Sequence, residues 1–373
     1  HPLRFELAEK LAEIMPGQEL PRSTYEVSGT EAVESAVHTA LCFKKRRYVV
    51  SFASSFHGAS LGTKMISGYT SEHNIYMEPW DGSAVKAPYP HSENIPAGMS
   101  HEQYVEYCLW HLDSYIPEYI VPSENIAAVL IEPGLAEGGN WIPSGNFIKG
   151  IRKICDKHGW LMIADEVLTG LGRTAEMWGM DHYKVIPDML IVGKNLSGGI
   201  APCAGVASRD EILGNNPSAS SGSTFAGTPA GCAAGLKTLE IYKRDKVIDH
   251  AKKLAQIAKL RMEAWCKKYS IVSETRQLGL LMGISFNLPD SLASSDKYDD
   301  SFVARTVRDY MLRNGVWAIC DSESTVRMYP ALNMNENVFR EAFDIVEDAI
   351  IKVESGSELV GDYPAIPTGV TGF

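Results

Sequence analysis

The chain is predicted to be an α/β protein: a large domain built on a mainly parallel sheet with helices on both faces, then a smaller C-terminal α+β domain. Three observations carry this. Short, near-continuous apolar runs alternate with helical patterns along most of the length, as strands covered on both faces do. One complete strand–helix–strand unit can be read between residues 127 and 167. Past about residue 245 the alternation gives way to mixed strand and helix, which sets the domains at 1–244 and 245–373.

The elements follow in order. The start is already amphipathic, with Leu3, Leu7, Leu11 and Ile14 at helical spacing, and this leads to the expectation of a further N-terminal segment ahead of His1. "YVVSF" (48–52), "AAVLIE" (127–132), "WLMIADEV" (160–167) and "MLIVGK" (189–194) read as strands. Between the second and third, "NFIKGIRKICDKHG" places Phe147, Ile148, Ile151 and Ile154 on one helical face and stops at Gly159. Such alternation implies parallel strands, with ligands beyond their carboxyl ends. A long helical stretch from Pro229 to Tyr269 is expected to break or bend near Lys246. "LLMGISF", "VWAIC" and "VRMYP" then read as strands, and "VARTVRDYMLRNG" and "VFREAFDIVEDAIIKV" as helices. The closing "GDYPAIPTGVTGF" reads as a tail.

Composition narrows the function. A chain of 373 residues, 45% hydrophobic and 22% charged, is long enough for two domains and a sizeable core. The net charge of −11 and pI of about 5.4 disfavour nucleic acid or an anionic membrane surface as partner. No apolar run approaches the roughly 18 residues of a membrane span, and the start does not resemble a signal peptide. Seven scattered cysteines contain no CxxC pair and ten histidines no HExxH. Reduced thiols, a cytoplasmic setting and no metal are therefore expected.

Lys194 is the first candidate for chemistry, standing where the strand Met189–Val192 runs out among glycines. A phosphate loop needs GxxxxGK[ST]; here Asp188 occupies the first position and Asn195 follows the lysine, so that motif is absent. A lysine whose head reaches solvent is the plain alternative. Asp165, however, ends the neighbouring strand in "WLMIADEVLTGLGRT". A lone aspartate there serves equally well as a helix cap or ion-pair partner. Taken together, the two charges suit an aldehyde cofactor: the amine forms an imine, and the carboxylate keeps a pyridine nitrogen protonated so that the ring accepts electrons.

Seven motifs in order, "SGTEAVESA", "SFHG", "IEPGLAEGG", "DEVLTGLGRT", "VGKNLSGG", "GSTFAGTP" and "RMYPAL", make residues 24–350 similar to the class III aminotransferases, pyridoxal 5'-phosphate-dependent enzymes of fold type I. The resemblance implies transfer of an amino group from an amino acid or ω-amine donor to a 2-oxo acid such as 2-oxoglutarate or pyruvate. Racemisation, epimerisation, aminomutase chemistry or decarboxylation on the same scaffold is the alternative. Lys194 and Asp165 would be catalytic. Gly29 and Thr30 would hold the cofactor phosphate at a helix N-terminus, although an ordinary capping box built on Thr30 explains the same residues locally. Phe56 and Val167 would flank the ring, where core packing is the plain alternative, and His57 and Glu132 would join the cofactor site. Thr224 would reach the phosphate of a neighbouring subunit, which implies a homodimer. Arg327 would grip a substrate carboxylate through two parallel hydrogen bonds, with Glu137 able to mask it; a surface arginine is the alternative. Two departures stand out: Ala59 where many relatives carry arginine after the "HG" pair, and Leu168 where many carry a glutamine facing the ring oxygen. Residues 69–101 read either as an entrance lining or as a surface excursion.

Overall fold

Every side chain of the strand Ile126–Ile131 is buried, the mark of a strand covered on both faces. In the computed structural model, which describes residues 1–68, 84–214, 222–289, 299–320 and 324–357, it lies within a seven-stranded sheet. Numbered along the chain, the strands are β1 (Arg22–Glu26), β2 (Tyr48–Phe52), β3 (Ala84–Ala87), β4 (Ile126–Ile131), β5 (Leu161–Asp165), β6 (Met189–Val192) and β7 (Ala204–Ser208). Their spatial order is β1-β7-β6-β5-β4-β2-β3. Strands β3, β2, β4, β5 and β6 run parallel, while β7 is antiparallel to both β6 and β1.

Side-chain alternation along the strands builds two apolar layers. Ile163, Met189, Ile191 and Val206 pack with Ala32, Val33, Ala36 and Ala40 of the helix Gly29–Lys44. Leu190, Val192 and Ala207 face the other way, towards Leu7 and Leu11 of the helix Pro2–Ile14. The helix Gly145–His158 links β4 to β5 as its sequence predicts. Ser144 caps it by accepting from the Phe147 N–H at 3.3 Å, and Gly159 ends it at φ +65°, a conformation that costs glycine little.

Strands β1, β3 and β7 were not anticipated: β3 lies in the stretch 69–101 read as an entrance lining or a surface excursion, where it pairs with β2, and β7 ("AGVAS") is made of small residues with no apolar run. Close packing requires them: a Cβ on Gly205 would stand 2.3 Å from the Thr24 carbonyl oxygen.

The described residues cluster into two units, one of 1–138 with 142–246, the other of Gly139–Trp141 with the described residues from Val247 on. The long helical stretch divides at the same point, into Pro229–Arg244 and Val247–Lys268, with Lys246 at φ +49° between them. The second unit holds β8 (Val272–Leu278), β9 (Leu281–Phe286) and β10 (Thr325–Met328) in antiparallel order β10-β9-β8. Its helices are Val247–Lys268, Asp300–Arg313 and Glu336–Glu354, and Trp265 stacks on Phe343 at 5.5 Å in its core. β8 was missed because "VSETRQL" is mostly polar. The expected strand "VWAIC" contributes one bridge, Ile319 to Arg327. The expected tail at 361–373, and residues 69–83 of the possible entrance segment, lie outside the described residues. Among the described residues no helix is long and apolar enough to cross a membrane.

Candidate active site

The parallel strands of the first unit deliver their chemistry at their carboxyl ends. Asp165 is the last residue of β5 and is buried. Its Oδ1 accepts the Val167 N–H at 3.1 Å, and its Oδ2 lies 2.8 Å from His57 Nδ1. His57, from the loop after β2, is itself 2% exposed, and its Nε2 has no hydrogen-bond partner among the described residues. The carboxylate is thus locked in place by two partners before any ligand arrives. Sequence reasoning named both residues but not this bond.

Lys194 follows β6 after one glycine and takes φ +40°, a region that is strained for a residue with a Cβ and recurs at functional sites. Its amine is lowered in pKa, first by burial and further by the nearby Arg173 guanidinium; Glu137, Asp165 and Glu132 pull the other way. By surface area the residue nevertheless counts as exposed. Burial around the amine is the property that matters chemically. Arg173 was overlooked although it stands in "DEVLTGLGRT".

Glu132, just past β4, is buried and spends both oxygens on backbone. Oε1 accepts the Phe56 N–H at 2.9 Å and Oε2 accepts the Ala136 N–H at 3.1 Å. His57 N–H is held in turn by Ser67 Oγ at 2.9 Å. Glu132 therefore braces the loop carrying Phe56 and His57, a role its sequence position did not reveal. Burial, and then the Asp165 charge, push its carboxyl up to about 8; burial pushes Glu166 up to about 7. A raised carboxyl adds stability that is fully present below its unfolded value and lost as pH rises through the folded one. Thermal midpoints of the wild type should therefore fall as pH rises from 4.5 towards 8, and Glu132→Gln should flatten that slope. The amide must also turn a donor towards one of the two N–H groups, which costs about 1–3 kcal/mol. An unchanged slope would show that Glu132 does not titrate there.

A second cluster forms at the N-terminus of the helix Gly29–Lys44. Ser28, not Thr30, caps it: Ser28 Oγ accepts the Glu31 N–H at 3.2 Å, and Glu31 reaches back to the Val27 N–H at 3.1 Å. The capping explanation of Thr30 is thereby removed. Space around these residues is tight. A Cβ on Gly29 would stand 2.7 Å from Val167 Cγ1, one on Gly193 3.3 Å from the same atom, and one on Gly58 2.6 Å from Thr30 Oγ1. Gly29→Ala should accordingly cost about 1–3 kcal/mol of stability and weaken anion binding at the helix N-terminus; equal denaturation midpoints and anion affinity would contradict this. Thr224 is exposed on the turn before the helix Pro229–Arg244, and its neighbour Ser223 lies 3.5 Å from Glu31. Phe56 and Val167 are half-buried.

In the second unit Arg327 lies on β10 and is 1% exposed, so it is no surface arginine. Glu137, in the first unit, is half-buried. Among the described residues no group of three or more His, Cys, Asp or Glu side chains is placed to hold a metal.

A mainly parallel sheet whose neighbouring strands lead to a buried carboxylate and a lysine, beside the N-terminus of the helix Gly29–Lys44, is the arrangement of the fold type I class of pyridoxal-phosphate-dependent enzymes. A solved (S)-enantioselective omega-transaminase from Thermomicrobium roseum superposes with a TM-score of 0.85 at 26% identity, over 95% of this chain and 80% of that one. The aminotransferase class-III family model matches residues 2–350, and the chain belongs to that family. It is 30% identical to a probable 4-aminobutyrate aminotransferase of Bacillus subtilis, over 93% of this chain and 79% of the relative. It is equally identical to a leucine/methionine racemase of Thermococcus litoralis, over 95% of this chain and 78% of that one. The protein is thus a pyridoxal-phosphate-dependent aminotransferase. Its residues fit the cofactor: a buried carboxylate held by His57, an amine of lowered pKa, and a helix end where Gly29 lets Val167 pack directly against the backbone.

Proposed function

We propose that the enzyme moves an amino group from an amino acid or ω-amine donor to a 2-oxo acid such as 2-oxoglutarate or pyruvate, with the work divided among its residues as follows. The single observation that supports this best is Asp165, held by His57 and the Val167 N–H, at the end of the strand beside the one that leads to the strained Lys194 with its amine of lowered pKa. When bound, pyridoxal phosphate supplies an electrophilic carbonyl and a protonated ring that accepts an electron pair from the substrate α-carbon. Asp165 keeps a cation at the ring nitrogen favourable by its fixed charge. Lys194 anchors the cofactor and, once released, carries the proton between carbons.

Phe56 and Val167 hold the ring plane from its two faces. Gly29 and Thr30 take the phosphate at the helix N-terminus, with Thr224 of a second copy completing it; the functional unit is then a homodimer. Arg327 grips the substrate carboxylate, and Glu137 offers it a partner when a substrate without that carboxylate enters. Ala59 cannot supply a distal guanidinium beside the "HG" pair, which disfavours donors that need one there.

Racemisation is the second reading, favoured by the full-length similarity to the Thermococcus racemase. Mixing the loaded enzyme with one chiral donor and no oxo acid separates the two. Transamination consumes about one donor per site and leaves the cofactor as its amine; racemisation inverts the donor and leaves the aldehyde absorbance intact. The second outcome would overturn the proposal.

A further inference from the structure

Arg327 is one of two arginines in a single row of the small sheet. Gly283 on β9 pairs with Arg276 on β8 and with Arg327 on β10, and directly paired residues project from the same face. A Cβ on Gly283 would stand 3.1 Å from the Gly139 carbonyl oxygen and 3.2 Å from Asn140 Cβ. The segment Gly139–Trp141 therefore lies over the glycine, on the face that carries both arginines. Asn140, at φ +56°, ties it down by donating to the Met282 carbonyl at 2.6 Å and accepting from Tyr329 Oη at 2.8 Å.

Arg276 is fully committed to this segment and its floor. Its Nε and Nη2 donate to the Gly139 carbonyl at 3.1 and 2.9 Å. Nη2 also meets Ser285 Oγ at 2.8 Å and Thr325 Oγ1 at 2.9 Å, and Nη1 meets Glu274 at 3.1 Å. The guanidinium plane lies over the Trp141 ring, 3.7 Å from its centroid. A planar fork that bonds at its edge and stacks on its face is a task lysine cannot perform. With Nη2 alone meeting three acceptors, Arg276 has little left to offer an incoming anion. Its neighbour two strands away, roughly 10 Å across the sheet, shares the same face.

We propose that Arg276 is a positioning residue for carboxylate recognition: it holds Gly139–Trp141 as a fixed wall over Gly283, so that Arg327 presents its guanidinium to the substrate carboxylate in one geometry. This rests on the assignment of Arg327 as the carboxylate anchor. Loss of the wall lets Arg327 sample other positions, which penalises only ligands that bear the carboxylate.

The test uses the loaded enzyme and two carbonyl reagents that any such enzyme captures, aminooxyacetate with a carboxylate and O-methylhydroxylamine without one, read by the fall in visible absorbance. Arg276→Lys should lower the capture rate for aminooxyacetate about tenfold and leave that for O-methylhydroxylamine within about twofold, since bidentate, stacked geometry is lost. Gly283→Ala keeps both arginine side chains yet pushes on Gly139 and Asn140, and should give the same split at about threefold. Equal effects on both reagents, or none, in the variants that fold would overturn the inference. Arg327→Ala is the reference. If it too leaves the preference for aminooxyacetate unchanged, the anchor assignment itself fails. If it abolishes the preference while Arg276→Lys and Gly283→Ala do not, only the role of Arg276 is lost.

Discussion

Lys194→Ala is expected to lower turnover by about 10⁴-fold or more, the largest single-residue effect in the protein. Proton transfer by a positioned side chain is worth roughly 10²–10⁴ on its own, and under the proposed assignment the same amine anchors the cofactor, so two functions would be lost together. The amine is suited to both. Burial lowers its pKa, while Glu137, Asp165 and Glu132 limit the drop, so the amine gives up its proton more readily than an exposed lysine does. Its backbone is held at φ +40° directly after β6, so strain is spent on pointing this side chain. Lys194→Arg should be as inactive, because guanidinium stays protonated throughout. Steady-state turnover and borohydride trapping check the claim together. An alanine variant that retains a tenth of the activity, or still fixes the cofactor covalently, would refute it.

Asp165→Asn should reduce turnover about 10²–10³-fold, the range found when one preorganised electrostatic group is removed from an active site. The amide keeps an oxygen for the Val167 N–H but turns its –NH2 towards His57 Nδ1, where the carboxylate oxygen lay at 2.8 Å. His57 must then accept at Nδ1 and carry its proton on Nε2, the nitrogen with no partner among the described residues. Geometry is largely preserved and the negative charge is gone, so a loss in kcat with cofactor affinity changed far less isolates the charge. Near-normal turnover in the asparagine variant would mean that a neutral partner suffices at this position.

Legibility in the sequence tracked how local each signal was. β2, β5 and β6 were readable because burial on both faces demands unbroken apolar runs, and the Gly145–His158 helix because its stripe, Ser144 cap and Gly159 stop agree. β7 and β8 were not, one being built of small residues for close approach and the other mostly polar. The alternative that Thr30 caps the helix fails because Ser28, two residues earlier, has the same chemistry and takes the role.

At the site, the identities of Lys194 and Asp165 and their places at strand ends followed from sequence alone, since a strand's period and its end are properties of a few consecutive residues. Partnership was decided by the tertiary structure. His57 meets Asp165 across 108 residues, Phe56 meets Glu132 across 76, and Arg276 meets Gly139 across 137. Such pairs depend on which strands become neighbours and in what register. That choice is made by packing apolar layers on both faces of a sheet, and no short stretch of sequence contains it.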